Sequence, residues 1–232
     1  MTKPFKLSVL AGLLTVAWGC VSPANPAVAA PKAPAKGADI ISGKFEMSEV
    51  SGAAMLGDDL LIAADDLNDD AVGQVGLIKD PLKKLDEGGL IKSEKFSGLE
   101  ALGPDDLEDA AARDDKVVYL TTSHSLTKQP TDPTKSPKDK PERKNLIRLT
   151  KDSAKVYAKL RDSVKDVPGI GEALAKSTKV APTATGFNIE GLAMTKEGDL
   201  LFGLRSPTID HQAVVLRLKN PEDLFTNPDA KA

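Results

Sequence analysis

Three times along the chain a short segment of small and acidic residues passes through a turn into a run of β-type apolar residues. Val50-Ser51-Gly52-Ala53-Ala54 leads through Leu56-Gly57-Asp58-Asp59 to Leu60-Leu61-Ile62-Ala63. Leu107-Glu108-Asp109-Ala110-Ala111 leads through Arg113-Asp114-Asp115-Lys116 to Val117-Val118-Tyr119-Leu120. Ile189-Glu190-Gly191-Leu192-Ala193 leads through Lys196-Glu197-Gly198-Asp199 to Leu200-Leu201-Phe202-Gly203. Two apolar segments flanking an Asp- or Gly-bearing turn predict a β-hairpin. A further strand is predicted after each hairpin, at Val75 to Ile78, Asn145 to Leu149 and Ala213 to Leu218. A single small sheet cannot bury both faces and must stack on its neighbours, so the pattern predicts an all-β, β-propeller-like array of short antiparallel sheets. At about 45 residues per blade the array would hold about four blades.

Two stretches interrupt the theme. Residues 128–144 are rich in Pro, Lys, Asp and Thr with almost no apolar side chains, and predict a flexible exposed loop. Residues 151–177 carry Val156, Leu160, Val164 and Val167 at helical spacing before Pro168-Gly169, and predict one helical insertion.

The N-terminus has a different logic. Lys3 and Lys6 precede the apolar run Leu7 to Gly19, and Ala27-Val28-Ala29 supplies a small-residue cleavage pattern. The run is shorter than the about 20 apolar residues that span a bilayer, and the three features together predict a signal peptide over residues 1–29. Residues 30–39 hold mainly Ala, Pro, Lys and Gly and predict a linker; residues 40–228 are the predicted propeller-like domain. The expected location is extracytoplasmic, periplasmic or secreted. Cys20, the single cysteine, directly follows the apolar run, so lipidation at Cys20 and attachment to the envelope is the alternative. Either way the folded part uses no disulfide.

The formal net charge of −3 gives no general attraction to nucleic acid or anionic lipid. Val167-Pro168-Gly169-Ile170-Gly171-Glu172-Ala173-Leu174-Ala175 has the look of a DNA-binding hairpin. In an acidic, exported chain it is better explained as a turn that ends a helix.

The strand-start sets quoted above, together with Phe187-Asn188, Ser123-His124-Ser125 and Gly203-Leu204-Arg205-Ser206-Pro207, resemble an uncharacterised bacterial family defined as a domain of unknown function. The resemblance covers roughly residues 45–225. It implies a β-propeller distantly similar to the propellers of esterase-like phytases, and brings no assigned reaction. Proteins of this kind continue well past the position of Asn220-Pro221, so the ring is expected to be shortened. An unclosed array leaves strand edges that invite pairing, and homo-oligomerisation through an open edge is expected.

In propellers the strand ends ring a central channel, which places Glu108, Glu190 and Arg205, with His124 and the pair Asp65-Asp66, at the candidate mouth. Two carboxylates and a guanidinium around one opening could hold a phosphate ester with the help of a metal; the same groups could instead cap backbone amides between blades. Asp66, Asn68 and Asp70 have the oxygen-ligand spacing that opens a calcium loop, but Ala71 and Leu77 occupy the positions where an EF-hand needs Gly and Glu. A looser Ca2+ site is the remaining metal candidate. A Ser-His pair within Ser123-His124-Ser125 is disfavoured because neighbours on a strand point to opposite faces. The readings are, in order, an extracytoplasmic binding or scaffold propeller for a small molecule or protein, a metal-assisted phosphoesterase, and a lipid-anchored structural envelope protein.

Overall fold

The computed structural model describes residues 8–9 (backbone only), 44–45, 49–64, 74–88, 90–96, 99, 102–127, 134, 138–172, 186–227 and 230. In chain order the elements are β1 (Ser8–Val9), β2 (Lys44–Phe45), β3 (Val50–Leu56), β4 (Asp59–Ala64), β5 (Gln74–Ile78), α1 (Pro81–Glu87), β6 (Leu90–Ile91), β7 (Glu94–Lys95), β8 (Leu107–Ala112) and β9 (Val118–Thr122). There follow β10 (Leu146–Thr150), β11 (Ser153–Tyr157), α2 (Leu160–Ser163), β12 (Asn188–Met194), β13 (Leu200–Ile209), β14 (Gln212–Leu218) and α3 (Asp223–Thr226).

These strands make an all-β, propeller-like array. The described residues form three four-stranded sheets, ordered β3-β4-β5-β7, β8-β9-β10-β11 and β12-β13-β14-β1, with a small parallel pair β2-β6. The pairings within the three sheets are antiparallel. Each sheet begins with one of the three strands expected to lead a blade, and β3, β8 and β12 lie side by side. Three blades appear among the described residues, where chain length suggested about four.

Turn chemistry sets the hairpins. Between β3 and β4, Gly57 adopts φ 66°, a conformation that favours glycine. Between β8 and β9, the Asp114 carboxylate accepts from the amides of Lys116 at 2.8 Å and Val117 at 2.9 Å, a side-chain-closed turn.

The cores lie between blades. One cluster joins blades 1 and 2 through Leu56, Leu61, Val75, Leu120 and Ile147. A larger one joins blades 2 and 3 through Tyr119, Leu146, Phe187, Phe202 and Leu216. A third covers the outward side of blade 1, where Ile62 and Ile78 meet Ile91.

The segment after β14 folds back across blade 2. Glu222 accepts hydrogen bonds from the Tyr119 hydroxyl and from Arg148 Nε at 2.9 Å, and pairs with Arg113 at 2.9 Å. Burial alone would raise the Glu222 pKa, but the bonds from Arg148 and Tyr119 outweigh it and hold the carboxyl below its ordinary range.

Two sequence expectations need revision. Residues 151–157, expected to open the helical insertion, form the turn and strand of the β10–β11 hairpin. The valine spacing at Val156 matched a helix by coincidence with strand alternation, and α2 starts only at Leu160. The described end of the 128–144 loop is tied down: Pro141–Arg143 is a 3-10 turn, and Lys140 and Arg143 bond Asp105. Ser8–Val9, assigned from sequence to the signal, lies antiparallel against β14 opposite Arg217 and Leu216.

Candidate functional site

Each leading strand has an irregularity at the same place. The register shifts fall between Val50 and Gly52, between Leu107 and Asp109, and between Ile189 and Gly191. The extra residue is therefore Ser51 in blade 1, Glu108 in blade 2 and Glu190 in blade 3. A bulge re-aims a side chain out of the ladder, so the array repeats one device three times at the same end of its inner strands. The short strand-start motifs of the sequence are these bulges.

Two of those positions carry carboxylates, and Arg205 lies with them. Arg205 Nη1 donates to Glu190 Oε1 at 3.0 Å, and Asn188 Nδ2 donates to the same oxygen at 2.9 Å. The pair faces solvent, with side-chain exposures of 65% for Arg205 and 40% for Glu190. The bond to Glu190, and after it the charges of Glu190 and Glu108, hold the Arg205 guanidinium in its charged form. Glu190 and Arg205 are thus paired, and Glu108 lies near enough for its charge to act on Arg205.

Beneath this exposed group are polar atoms the fold leaves unmatched. Asn188 stands opposite Ser206 across the β12–β13 pair. Asn188 and Ser206 are 4% and 1% exposed, yet Asn188 Oδ1 and Ser206 Oγ have no hydrogen-bond partner among the described residues. Buried polar atoms in folded proteins are nearly always bonded. The two unpartnered atoms belong to one cross-strand pair, and Asn188 is bonded through Nδ2 to the solvent-facing Glu190.

His124 is different from the role foreseen for it. It is fully buried, with φ 59°, and meets the edge of Phe187 at a ring distance of 6.1 Å. Neither ring nitrogen has a hydrogen-bond partner among the described residues. Burial first, then the charges of Arg161 and Lys144, lower its pKa to about 3, against a weak opposing pull from the Asn145 backbone. It is a neutral core imidazole.

The serines beside it belong to an internal network that sequence reading missed. Asp106, at φ 63°, accepts from the Ser123 hydroxyl, from Ser125 Oγ at 3.2 Å and from Arg143 Nη1 at 2.9 Å. Ser123 and Ser125 hydroxyls are 2.9 Å apart. Asp105 accepts from Lys140 Nζ at 2.8 Å and Arg143 Nε at 3.1 Å. Burial pushes Asp105 upward, but the hydrogen bonds from Lys140 and Arg143 dominate and hold it below the usual carboxylate range. The Ser123 carbonyl accepts from Ile189 N at 2.8 Å, which stitches blade 2 to β12. Ser123 is bonded to Ser125 and to Asp106, whose carboxylate is itself held by Arg143, and not to His124, so this cluster is built for cohesion. The signal in the sequence was the Asp105-Asp106 pair ahead of β8 with Arg143 ahead of β10.

A second staple joins the same blades. Asp109 accepts from its neighbour Ala110 N and from Leu192 N across the blade boundary, both at 2.7 Å.

The remaining candidates, Asp65, Asp66, Asn68 and Asp70 for calcium and Cys20 for lipidation, lie outside the described residues. Among the described residues no three His, Cys, Asp or Glu side chains are grouped to hold a metal, and no helix is long and apolar enough to cross a membrane.

A family described as "Protein of unknown function (DUF3616)" matches residues 157–226, which span the connection into blade 3, all of β12 to β14 and the returning Glu222. The match supports the resemblance to an uncharacterised domain family. Comparison with curated proteins and with solved structures finds no match.

Proposed function

We propose that this chain is an exported, propeller-like binding module whose ligand face is the bulge-lined end of the array, with Glu190 and Arg205 at its surface and Glu108 beside them. The observation that carries this reading is the coincidence of the exposed Glu190–Arg205 pair with the buried, unpartnered Asn188 Oδ1 and Ser206 Oγ below it. A ligand group that donates hydrogen bonds to these oxygens would recover the cost of burying them, about 1–3 kcal/mol each. With two carboxylates to one guanidinium the mouth is acidic on balance, which favours a small molecule or protein segment carrying a donor-rich or cationic group. Export rests on the N-terminal pattern of Lys3, Lys6, Leu7 to Gly19 and Ala27-Val28-Ala29; removal of residues 1–29 would also free the outer edge of β14.

The test is a thermal-shift screen of amines, amino sugars and short basic peptides on the mature chain, repeated on Glu190→Gln and Ser206→Ala. A ligand that binds only the folded state raises apparent stability. The reading requires a ligand whose shift both variants lose while their ligand-free melting temperatures hold. Shifts that both variants retain in full would place binding elsewhere.

The gathering of Glu108, Glu190 and Arg205 is also the observation that favours metal-assisted phosphoester hydrolysis. That reading requires metal-dependent turnover of a phosphate monoester, abolished in Glu190→Gln without loss of stability.

A further inference from the structure

Blade 3 departs from its two companions by one detail of its ladder. In blades 1 and 2 the pairing of the first two strands has a single register shift each; in blade 3 it has two. Where the partners step from Ile189 to Gly191 on β12, they step from Leu204 to Gly203 on β13, so Glu190 stands outside the ladder. One pair earlier they step from Asn188 to Ile189 on β12 but from Ser206 to Leu204 on β13, so Arg205 stands outside it as well. Bulges re-aim side chains, and these two, on facing strands, bring opposite charges into contact at 3.0 Å.

The resulting ion pair is an open one, with the Arg205 side chain 65% and the Glu190 side chain 40% exposed. Exposed pairs contribute little to stability and so are readily opened. Arg205 reaches Glu190 through Nη1. A guanidinium carries five N–H donors in a planar fork, and such a fork can hold a carboxylate through two parallel bonds. Beside the fork stand three acceptors of different kinds: the Glu190 carboxylate, and the buried Asn188 Oδ1 and Ser206 Oγ, which have no hydrogen-bond partner among the described residues. Asn188 is tied to Glu190 through Nδ2 at 2.9 Å, so the amide and the carboxylate belong to one group. An ammonium group has three donors.

We propose that the ligand of this face is a free α-amino acid, its carboxylate on the Arg205 fork and its ammonium group on Glu190, Asn188 Oδ1 and Ser206 Oγ. In such a zwitterion both charged groups are attached to one carbon, as close together as the contact between Arg205 and Glu190 requires. The ligand can therefore replace the internal pair charge for charge. An amine alone would take Glu190 and leave Arg205 without its anion; a carboxylate alone would do the reverse. Glu108, whose charge acts on Arg205, adds negative potential and makes a cationic side chain the best first choice. This inference rests on the ligand face proposed above and narrows its chemistry.

Isothermal titration calorimetry of the mature chain tests it with L-lysine, its methyl ester, its Nα-acetyl derivative and cadaverine, which is lysine without the carboxylate. The expected result is binding of L-lysine, with an affinity at least tenfold lower for each of the other three. Arg205→Ala should erase the advantage of lysine over cadaverine, and Glu190→Gln should weaken both. Cadaverine that binds as tightly as lysine, with binding lost in Glu190→Gln, would overturn the amino-acid assignment and leave the cation-binding face standing. Absence of binding by all four compounds would overturn both. An advantage of lysine that survives Arg205→Ala would place its carboxylate elsewhere and overturn the assignment as well.

Discussion

His124 gives the fold an acid weakness that can be measured. In the folded chain its pKa is about 3, whereas in the unfolded chain it returns to about 6.5. Between those values the unfolded state takes up a proton that the folded state refuses. Unfolding is therefore favoured as pH falls, and stability is complete only above the unfolded value. Between pH 7.5 and pH 5 the loss is about 2 kcal/mol, or about 1 M in the urea midpoint at a slope of about 2 kcal/mol/M. Asp105 and Glu222 have depressed pKa values, so their contribution is complete above the ordinary carboxylate range near 4 and is lost only below it. They leave the window above pH 5 to His124. The variant is His124→Asn, because asparagine tolerates the left-handed φ of 59° and does not titrate. Urea unfolding at half-unit pH intervals should show a sloping wild type and a nearly level variant, whatever the variant's absolute stability. A level wild type, or a variant with the same slope, would refute the buried, uncharged imidazole.

Other consequences concern the joints between blades. Gly52→Ala forces a methyl group onto the β8 backbone and should cost about 3 kcal/mol in urea unfolding, in contrast to Gly191→Ala, whose methyl group would meet only Gly203 Cα, at 3.9 Å, among the described residues. Asp109→Ala removes the acceptor for Ala110 N and Leu192 N and should cost about 2 kcal/mol; Asp109→Asn, which keeps an oxygen, should cost less. Tyr119→Phe deletes one donor to Glu222 but leaves Arg148 and Arg113 in place, so a loss of about 1 kcal/mol is expected, read from the same transitions.

The hairpins were legible because their turns announce themselves: Gly57-Asp58 and Asp114-Asp115 stand between runs of alternating or β-branched residues, and the expected strands begin within a residue of their predicted starts, although β13 runs on to Ile209. The gathering of Glu108, Glu190 and Arg205 was legible for a related reason, since equivalent positions of a repeat come to the same end of a stacked array. Val156 misled because spacings of three and four, taken across a strand, a turn and a short helix, can imitate one amphipathic helix. His124 misled for a deeper reason. Its neighbours in sequence, Ser123 and Ser125, turn toward Asp106, and only the packing of Phe187 from another blade shows that the ring between them is sealed away. Arg143, which holds Asp105 and Asp106 together, sits at the end of a segment whose composition suggested only an exposed loop.

The account divides the polar residues at this end of the array into two sets, one spent on cohesion and one presented to solvent. The most direct test is calorimetric melting of Asp106→Ala beside Arg205→Ala. Asp106→Ala strands Arg143, Ser123 and Ser125 at a cost of about 2–3 kcal/mol, which at about 2–4 °C per kcal/mol predicts a fall in melting temperature of about 4–12 °C, while Arg205→Ala should melt with the wild type. Equal losses in both variants, or a larger one in Arg205→Ala, would contradict the division and return Arg205 and Glu190 to the architecture.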